Sequence, residues 1–326
     1  MKCEELIVVK IGGSLLENGK SYINVAEQMK SKFIEQGAHV IAVVSAMKGI
    51  TDNLVQAYRG SIDALQLVIG RYIEAANYIG GSKLEKRVNE ELLKLETAFE
   101  LAFTQDSVIK DLILSFGERI SKMLLVEALT TVGTKSIGLN ATELIKTNNV
   151  HGNATINYHE TYERLSSSIP ILIREGVVPV IEGFIGSTNQ GAITTLGRGG
   201  SDYTATTIAA LLKADGVYLV SNVPGIMTAD PRYVPSAKIV SKMSYSEAIE
   251  ASLYGGKRLH PKTFHPLISI YSSRVCIGSW SGFGTVITKS LDKNECGKPK
   301  LVVFKPKGEY VNIALIGEGI HEFNIV

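Results

Sequence analysis

The chain has 326 residues, and its 34 basic and 32 acidic residues leave a formal net charge of only +2. The length fits one large α/β unit, or two lobes that share a cleft. With 45% hydrophobic and 20% charged residues, the composition is ordinary for a soluble globular enzyme, and the near balance of charge argues against nucleic acid or a membrane surface as a partner.

The cysteines and the N-terminus narrow the cellular setting. Cys3, Cys276 and Cys296 are scattered without CxxC spacing, so neither a disulfide framework nor a zinc site is indicated. The first residues are acidic where a secretory signal is basic, and no apolar run approaches the roughly 18 residues of a membrane span. The sequence therefore predicts a cytoplasmic protein.

Short apolar runs alternate with longer segments of helical pattern. The candidate strands are rich in β-branched residues and lie at 6–11, 39–45, 177–181 and 217–221. Continuous apolar runs of this length are typical of strands buried on both faces of a largely parallel sheet. Between them, helices are predicted at about 20–36, 116–132, 160–175 and 202–213. This alternation predicts an α/β sandwich.

Two regions depart from the alternation. Residues 61–105 contain no strand-like run and carry apolar residues at helical spacing, which predicts a helical insertion or subdomain. From about residue 285 the pattern changes again, and 301–304 and 311–316 are two candidate strands with little between them.

The first strand ends in Lys10-Ile-Gly-Gly-Ser14. A lysine inside an apolar strand is costly unless its ammonium meets a partner or a ligand. The glycines that follow allow backbone N–H groups to approach an anion closely, which favours a phosphate site. An ordinary turn after a strand-edge lysine is the alternative.

Ser115-Phe-Gly-Glu-Arg119 opens a helical segment. Glu118 is a candidate ligand-binding carboxylate. Ser115 as N-cap with Glu118 three residues later would also form a capping box, which needs no ligand.

A glycine-rich segment is the strongest indication of a ligand site. Residues 194–205 read TTLGRGGSDYTA, and place Arg198 among three glycines just before a predicted helix. Backbone N–H groups at a helix N-terminus favour anions, and an arginine fork suits a carboxylate or a phosphate. A plain turn with Asp202 as N-cap explains the aspartate but not the arginine.

Two later loops complete the set. Residues 217–232 form a strand followed by Pro-Gly and Asp-Pro-Arg turns, and loops beyond parallel strands commonly bind ligands in α/β folds. Lys257 follows a glycine pair and would suit phosphates. His260 and His265 have no third ligand at a useful spacing, so no dedicated metal site is predicted.

Together these segments resemble the catalytic domain of the aspartate kinases, in the amino acid kinase superfamily. The resembling stretches are VVKIGGSLL (8–16), VVSAMKGITD (43–52), SFGERIS (115–121), GFIGST (183–188), TTLGRGGSDYTA (194–205), VPGIMTADPR (223–232) and SYSEAIEASLYGGKRLHP (244–261). They span residues 5–285 in the family's order. KIGGS is shared across the superfamily, whereas LGRGGSDYTA is specific to aspartate kinases.

The resemblance implies a three-layer sandwich with an open, mainly parallel sheet. Residues 1–285 would be the catalytic domain, with an aspartate-binding lobe over 1–200 and an ATP-binding lobe over 201–285. The expected reaction is the ATP-dependent phosphorylation of the L-aspartate side chain, the first step toward lysine, threonine and methionine. A homodimer is common in the family.

The resemblance also assigns roles to individual residues. Lys10, Asp202 and Lys257 would be catalytic. The expected aspartate-binding residues are Ser45, Ala46, Glu118, Arg198 and Ser201. The expected nucleotide-binding residues are Lys10, Gly12, Gly13, Ser14, Ser221, Asn222, Met227, Asp230, Arg232 and Lys257. Mg²⁺ would sit largely on ATP oxygens, without a dedicated ligand cluster. A carboxylate nucleophile is already ionised at neutral pH, so no general base is needed.

The sequence departs from the family in two places. The family usually has Thr-Asp where this chain has Ser221-Asn222, and often Tyr at Met227, which affects the expected nucleotide pocket. Residues 286–326 would be a short tail and at most a remnant of an ACT regulatory module; they are too few for a complete one, so no complete effector site is expected from this chain alone. Two other functions stay open: a kinase of the same fold for another carboxylate, carbamate or phosphate acceptor, and a non-catalytic regulatory or binding subunit.

Overall fold

Strand and helix alternate through most of the chain, as the apolar pattern predicts. The computed structural model describes residues 5–256, 259–307 and 310–320. The strands are β1 (Leu6–Ile11), β2 (His39–Val44), β3 (Ser136–Leu139), β4 (Val178–Glu182), β5 (Ile185–Ser187), β6 (Ile193–Thr195), β7 (Gly216–Val220), β8 (Lys242–Ser244), β9 (Arg274–Ser279), β10 (Gly282–Thr288), β11 (Leu301–Lys307) and β12 (Tyr310–Ile316).

Helices connect most of these strands. They are α1 (Gly19–Met29), α2 (Ile50–Tyr58), α3 (Ile62–Glu100), α4 (Ser107–Thr131), α5 (Ala141–Leu144), α6 (Tyr158–Arg174), α7 (Gly200–Leu212), α8 (Tyr245–Leu253) and α9 (His265–Ser269). Within the described residues, none of these helices is both long enough and apolar enough to cross a membrane.

An eight-stranded sheet forms the middle layer, in the order β3-β4-β2-β1-β7-β9-β10-β8. All neighbouring strands are parallel except β9 and β10. Alternate residues of β1 enter two cores: Val9 packs with α1 to α4 on one face, and Val8 packs with α5 to α9 on the other. The predicted three-layer sandwich with a mainly parallel sheet is confirmed.

Most of the segment over 61–105 is α3, which consists of two helical stretches joined at Gly81, where φ is 58° and the backbone is not helical. It packs against α4, α1 and α2, and its buried side chains, such as Tyr72 and Leu95, belong to the same core as β1. The helix thus adds to the layer on this face of the sheet.

Helix α4 begins nine residues earlier than the pattern predicted. Its N-cap is Asp106, whose carboxylate accepts a hydrogen bond from the Val108 N–H at 2.8 Å. Ser115 therefore lies inside the helix, where its hydroxyl donates to the Leu112 carbonyl at 2.7 Å. The capping-box explanation of Glu118 is wrong, because no helix begins there.

Candidate active site

The sheet topology indicates where a ligand should bind. In the sheet, β1 lies between β2 and β7. The strands β2 to β4 lie on one side of β1 and the strands β7 to β10 lie on the other, so the strand order reverses at β1. In open α/β sheets, ligands bind in the crevice outside the carboxyl ends of strands at such a point. Lys10 is the penultimate residue of β1, and Ser45 and Gly183 directly follow β2 and β4.

A cavity of about 430 Å³ lies at this edge of the sheet. We refer to it as the polar cavity. The predicted site residues that line it are Lys10, Gly13, Ser14, Ser45, Ala46, Glu118, Arg198, Ser201 and Asp202. Segments far apart in sequence, from β1, β2, α4 and α7, therefore contribute to one space.

Lys10 and Asp202 form an ion pair in this cavity. The Lys10 ammonium lies 2.7 Å from the Asp202 carboxylate, and both side chains are about 15% exposed. Asp202 stands in the first turn of α7, where the helix dipole favours a negative charge. The carboxylate thus holds the ammonium in place at the end of an apolar strand.

Glu118 is buried, with 3% of its surface exposed. One carboxylate oxygen accepts a hydrogen bond from the Ala46 N–H at 3.1 Å, and the other has no hydrogen-bond partner among the described residues. Burial, assisted by the charge of Glu182, raises the pKa of Glu118 to about 8, against the opposing effects of the Ala46 N–H and Lys10. A cation bound beside the free oxygen would favour the ionised form.

Gly117 explains how helix α4 brings Glu118 so close to the loop after β2. A Cβ at position 117 would lie 2.9 Å from the Cβ of Ala46, closer than side chains tolerate. Only glycine therefore allows α4 to approach this loop without displacement.

Arg198 is a cationic residue that also lines the polar cavity. Its side chain is exposed, and its guanidinium makes no hydrogen bond or ion pair within the described parts of the chain. The loop before it is fixed by Lys262, whose ammonium donates to the carbonyls of Ala154 and Leu196 at 3.4 and 3.5 Å. The guanidinium is thus free to bind an anionic ligand while its backbone is held.

Sequence reasoning did not single out several charged residues that are buried or that line the polar cavity. Asp111 is fully buried and accepts hydrogen bonds from His151 Nδ1, the Gly152 N–H, and both the N–H and hydroxyl of Thr195. Lys122 pairs with the buried Glu182 at 2.6 Å. The signal was present: each of these charges interrupts an apolar run, as Lys10 does.

Lys48, which sequence reasoning also did not single out, lines the polar cavity itself. It is exposed and paired with Glu17 at 2.5 Å. It lies within the resembling stretch 43–52, but an exposed lysine in a turn carries no distinguishing pattern.

A second cavity, of about 800 Å³, lies beside the loop that follows β7. We refer to it as the apolar cavity, because most of its lining is apolar. The predicted nucleotide residues Met227, Asp230 and Arg232 line it. Arg232 forms an exposed ion pair with Asp230 at 2.5 Å.

Three of the predicted nucleotide residues line neither cavity, and a fourth is not described by the structure. Gly12, Ser221 and Asn222 line neither of them, and Lys257 lies outside the described residues. The N–H of Gly12 donates to the Val220 carbonyl at 2.9 Å, so it continues the sheet and is not free to bind a phosphate. The N–H of Ser221 is likewise bonded to the Gly278 carbonyl.

The described residues contain no group of three or more His, Cys, Asp or Glu side chains that could hold a metal ion. At the polar cavity the carboxylates are those of Asp52, Glu118 and Asp202. A divalent cation carried on phosphate oxygens would fit this donor set better than one bound by the protein alone.

Comparison with known proteins gives one family. The sequence model of the amino acid kinase family matches residues 5–279. Lysine-sensitive aspartokinase 3 of Escherichia coli is 33% identical over 274 residues, which is 81% of this chain and 59% of that protein. An aspartokinase of Geobacillus stearothermophilus is 33% identical over 258 residues, which is 79% of this chain and 52% of that one. The chain thus spans little more than half the length of these relatives.

A solved structure matches the fold closely. The crystal structure of E. coli aspartokinase III in complex with aspartate and ADP superimposes with a TM-score of 0.85 at 28% identity. The match covers 92% of this chain and 68% of that one.

Proposed function

We propose that this chain, which belongs to the amino acid kinase family, transfers the γ-phosphoryl group of ATP to the side-chain carboxylate of L-aspartate. The relatives named above are aspartokinases, and a complex of one of them contains aspartate and ADP. Because this chain spans only part of their length, its activity and substrates are inferred from its own site.

The observation that carries the proposal is that a buried acidic group and a guanidinium, each lacking a partner among the described residues, line the same cavity. Glu118 offers a buried carboxylate oxygen without a hydrogen-bond partner among the described residues, and Arg198 offers an unpaired guanidinium. An α-amino acid carries an ammonium and a carboxylate in fixed proximity, so it would satisfy both. Leaving a buried polar group unpaired is costly, which makes such a group a strong indication of a ligand.

The reaction needs positioning and charge neutralisation. A side-chain carboxylate oxygen of aspartate attacks the γ-phosphorus, an O–P bond forms, and the bond to the β–γ bridging oxygen breaks, which releases ADP. No proton is transferred, because the attacking carboxylate is ionised already. Lys10, held by Asp202, would stabilise the negative charge of the phosphoryl group during transfer.

The nucleotide would place its phosphates at the polar cavity and its base in the apolar cavity. Gly13 and Ser14 line the former, and Met227, Asp230 and Arg232 line the latter. Mg²⁺, bound to the phosphate oxygens, would neutralise part of their charge. We propose Ser45, Ala46 and Ser201 as further contacts of the aspartate, and Lys257 as a phosphate contact.

Trapping the acyl phosphate with hydroxylamine tests the proposal. With Mg-ATP, the wild-type chain should form hydroxamate from L-aspartate and much less from L-glutamate, N-acetylglutamate or N-acetyl-L-aspartate. N-acetyl-L-aspartate is the matched control, since it retains both carboxylates and lacks the ammonium. Equal activity with it would contradict the role of Glu118, and phosphorylation of UMP instead would point to another acceptor. No turnover with any acceptor would favour a non-catalytic subunit.

A homodimer, which the resemblance implies, stays a prediction. Sedimentation equilibrium of the purified chain would test it, and a mass equal to one chain at micromolar concentration would contradict it.

A further inference from the structure

The segment after residue 285, expected only as a remnant of a regulatory module, forms one side of the apolar cavity. Strands β11 and β12 pair as an antiparallel ribbon, with Phe304 opposite Ile313. The ribbon residues that line the cavity are Leu301, Val302, Val303, Phe304 and Val311. They face the loop after β7, which contains Met227 and Arg232.

Because side chains alternate along a strand, those of β11 lie on two opposite faces. Leu301 and Val303 are 4% and 8% exposed and belong to the hydrophobic core shared with α8 and β10. Val302 and Phe304 are half-buried and lie on the opposite face of the strand. The first pair anchors the ribbon, which leaves the second pair available to a ligand.

A buried carboxylate fastens the ribbon to the body of the protein. Glu247 in α8 is 1% exposed and accepts hydrogen bonds from the Lys300 ammonium at 3.0 Å and from the Glu318 N–H at 2.7 Å. These two donors flank the ribbon, just before β11 and just after β12. An ion pair buried to this degree is strongly destabilising to break, so the ribbon is held at both ends.

The ribbon also touches both loops expected to hold nucleotide. The Val302 N–H donates to the Thr228 carbonyl at 2.8 Å, and the rings of Phe304 and Tyr233 meet edge to face at 5.8 Å. On the other side, a Cβ at Gly255 would lie 2.6 Å from the Phe304 carbonyl oxygen. Residue 255 must therefore be glycine for the loop before Lys257 to pack on β11.

We propose that the β11–β12 ribbon is the wall of the nucleotide site, and that Val302 and Phe304 contact the base of ATP. The inference rests on the proposed function, since it names the occupant of the apolar cavity as a nucleotide. A flat, mostly apolar base suits a cavity of about 800 Å³ with an apolar lining and an arginine at one side. The ribbon thereby belongs to the catalytic unit.

Binding of ADP and of inorganic tripolyphosphate, both with Mg²⁺, separates contacts with the base from contacts with the phosphates. We expect Phe304→Ala to weaken ADP binding about tenfold, through loss of the aromatic contact, and to leave tripolyphosphate binding unchanged. Ile313→Ala is the matched control, because Ile313 is the cross-strand partner of Phe304 and is 68% exposed. It should change neither affinity.

Three outcomes would overturn the inference in different ways. Unchanged ADP affinity in Phe304→Ala would remove the base contact. An equal loss of ADP and tripolyphosphate binding would mean that the ribbon only supports the fold. If the wild-type chain did not bind ADP, both the proposed function and the inference would be contradicted.

A second variant covers the case in which Phe304→Ala does not fold. Phe304→Trp adds an indole to a chain whose single tryptophan is Trp280. ADP should change the fluorescence of this variant more than that of the wild type. ADP binding without such a change would also contradict the assignment.

Discussion

The polar and apolar cavities both follow strands of one sheet, but different forces build them. The polar cavity is lined by ionisable side chains. Lys10 and Asp202 form an ion pair, while one carboxylate oxygen of Glu118 and the guanidinium of Arg198 have no partner among the described residues. In the apolar cavity, β-turn residues and a ribbon from the end of the chain enclose a space with little charge. Under the proposed function, the first would serve the phosphoryl transfer and the second would hold the base, which does not react.

This difference between the cavities predicts that variants in each of them change different kinetic quantities. Interactions that strengthen as charge moves in the transition state should affect kcat, whereas contacts to an unreactive group should affect affinity alone. Variants of the polar cavity should therefore act on turnover and on the acceptor, and variants of the apolar cavity on the nucleotide only.

The largest effect is expected for Lys10→Ala. In the proposed reaction Lys10 stabilises the transferring phosphoryl group, so its removal should lower kcat about a thousandfold and leave ADP affinity within a few fold. Steady-state kinetics and calorimetric ADP titration would measure the two effects. Lys48→Ala is the control, since Lys48 lines the same cavity but is exposed and paired with Glu17. Comparable losses in both variants would show that general positive charge matters, and not the position of Lys10.

The next effect concerns the acceptor. Glu118→Gln keeps an oxygen for the Ala46 N–H but loses the charge, so the KM for aspartate should rise about a hundredfold. The affinity for ADP should not change. An unaltered KM for aspartate would mean that the free carboxylate oxygen of Glu118 faces no ammonium.

Lys10 and Arg198 could be singled out from the sequence because charge inside an apolar or glycine-rich run is conspicuous, whereas Glu118 and Asp202 were expected at the site only through the resemblance to the aspartate kinases. The sheet could also be predicted, since β1, β2, β4 and β7 are continuous apolar runs. Glycine-containing strands such as β9 and β10 lack that pattern and were not predicted.

The wall of the apolar cavity illustrates what sequence reasoning could not supply. Residues 301–304 were predicted as a strand, and that prediction is confirmed. The position of β11 depends on Glu247, which lies 53 residues before Lys300 and accepts a hydrogen bond from its ammonium. In the sequence, Glu247 has the pattern of an ordinary capping-box glutamate. An apolar strand packs through tertiary contacts, and the residue types in the strand do not identify the surface against which it packs.

A smaller effect comes from pH. Only ionised Glu118 can bind an ammonium, and its pKa of about 8 leaves most of it protonated at pH 7. Aspartate affinity should therefore rise about fivefold between pH 7 and pH 8, while ADP affinity stays constant. In Glu118→Gln the pH dependence should disappear. A flat wild-type profile would mean that Glu118 is ionised throughout this range.

The same group links pH to stability. Because the pKa of Glu118 in the folded protein lies above its ordinary value of 4.5, the folded state keeps a proton that the unfolded chain releases. This contribution to the free energy of unfolding is complete below about pH 4.5 and is lost as the pH rises toward 8. Glu118→Gln should gain stability relative to the wild type over that window, as measured by urea unfolding at pH 5 and pH 8.

The smallest effect is expected in the apolar cavity, at the position where the resembling family often has Tyr. Met227 lines this cavity and is half-buried, so Met227→Ala should weaken ADP binding about threefold through lost apolar contact. Its kcat with saturating ATP should match the wild type, and tripolyphosphate should bind equally well. Ile268→Ala removes an apolar side chain of similar size that is 52% exposed on α9, and it serves as the control. A fall in kcat at saturating ATP would break the separation between the two cavities, because a contact that holds only the base has no access to the transition state.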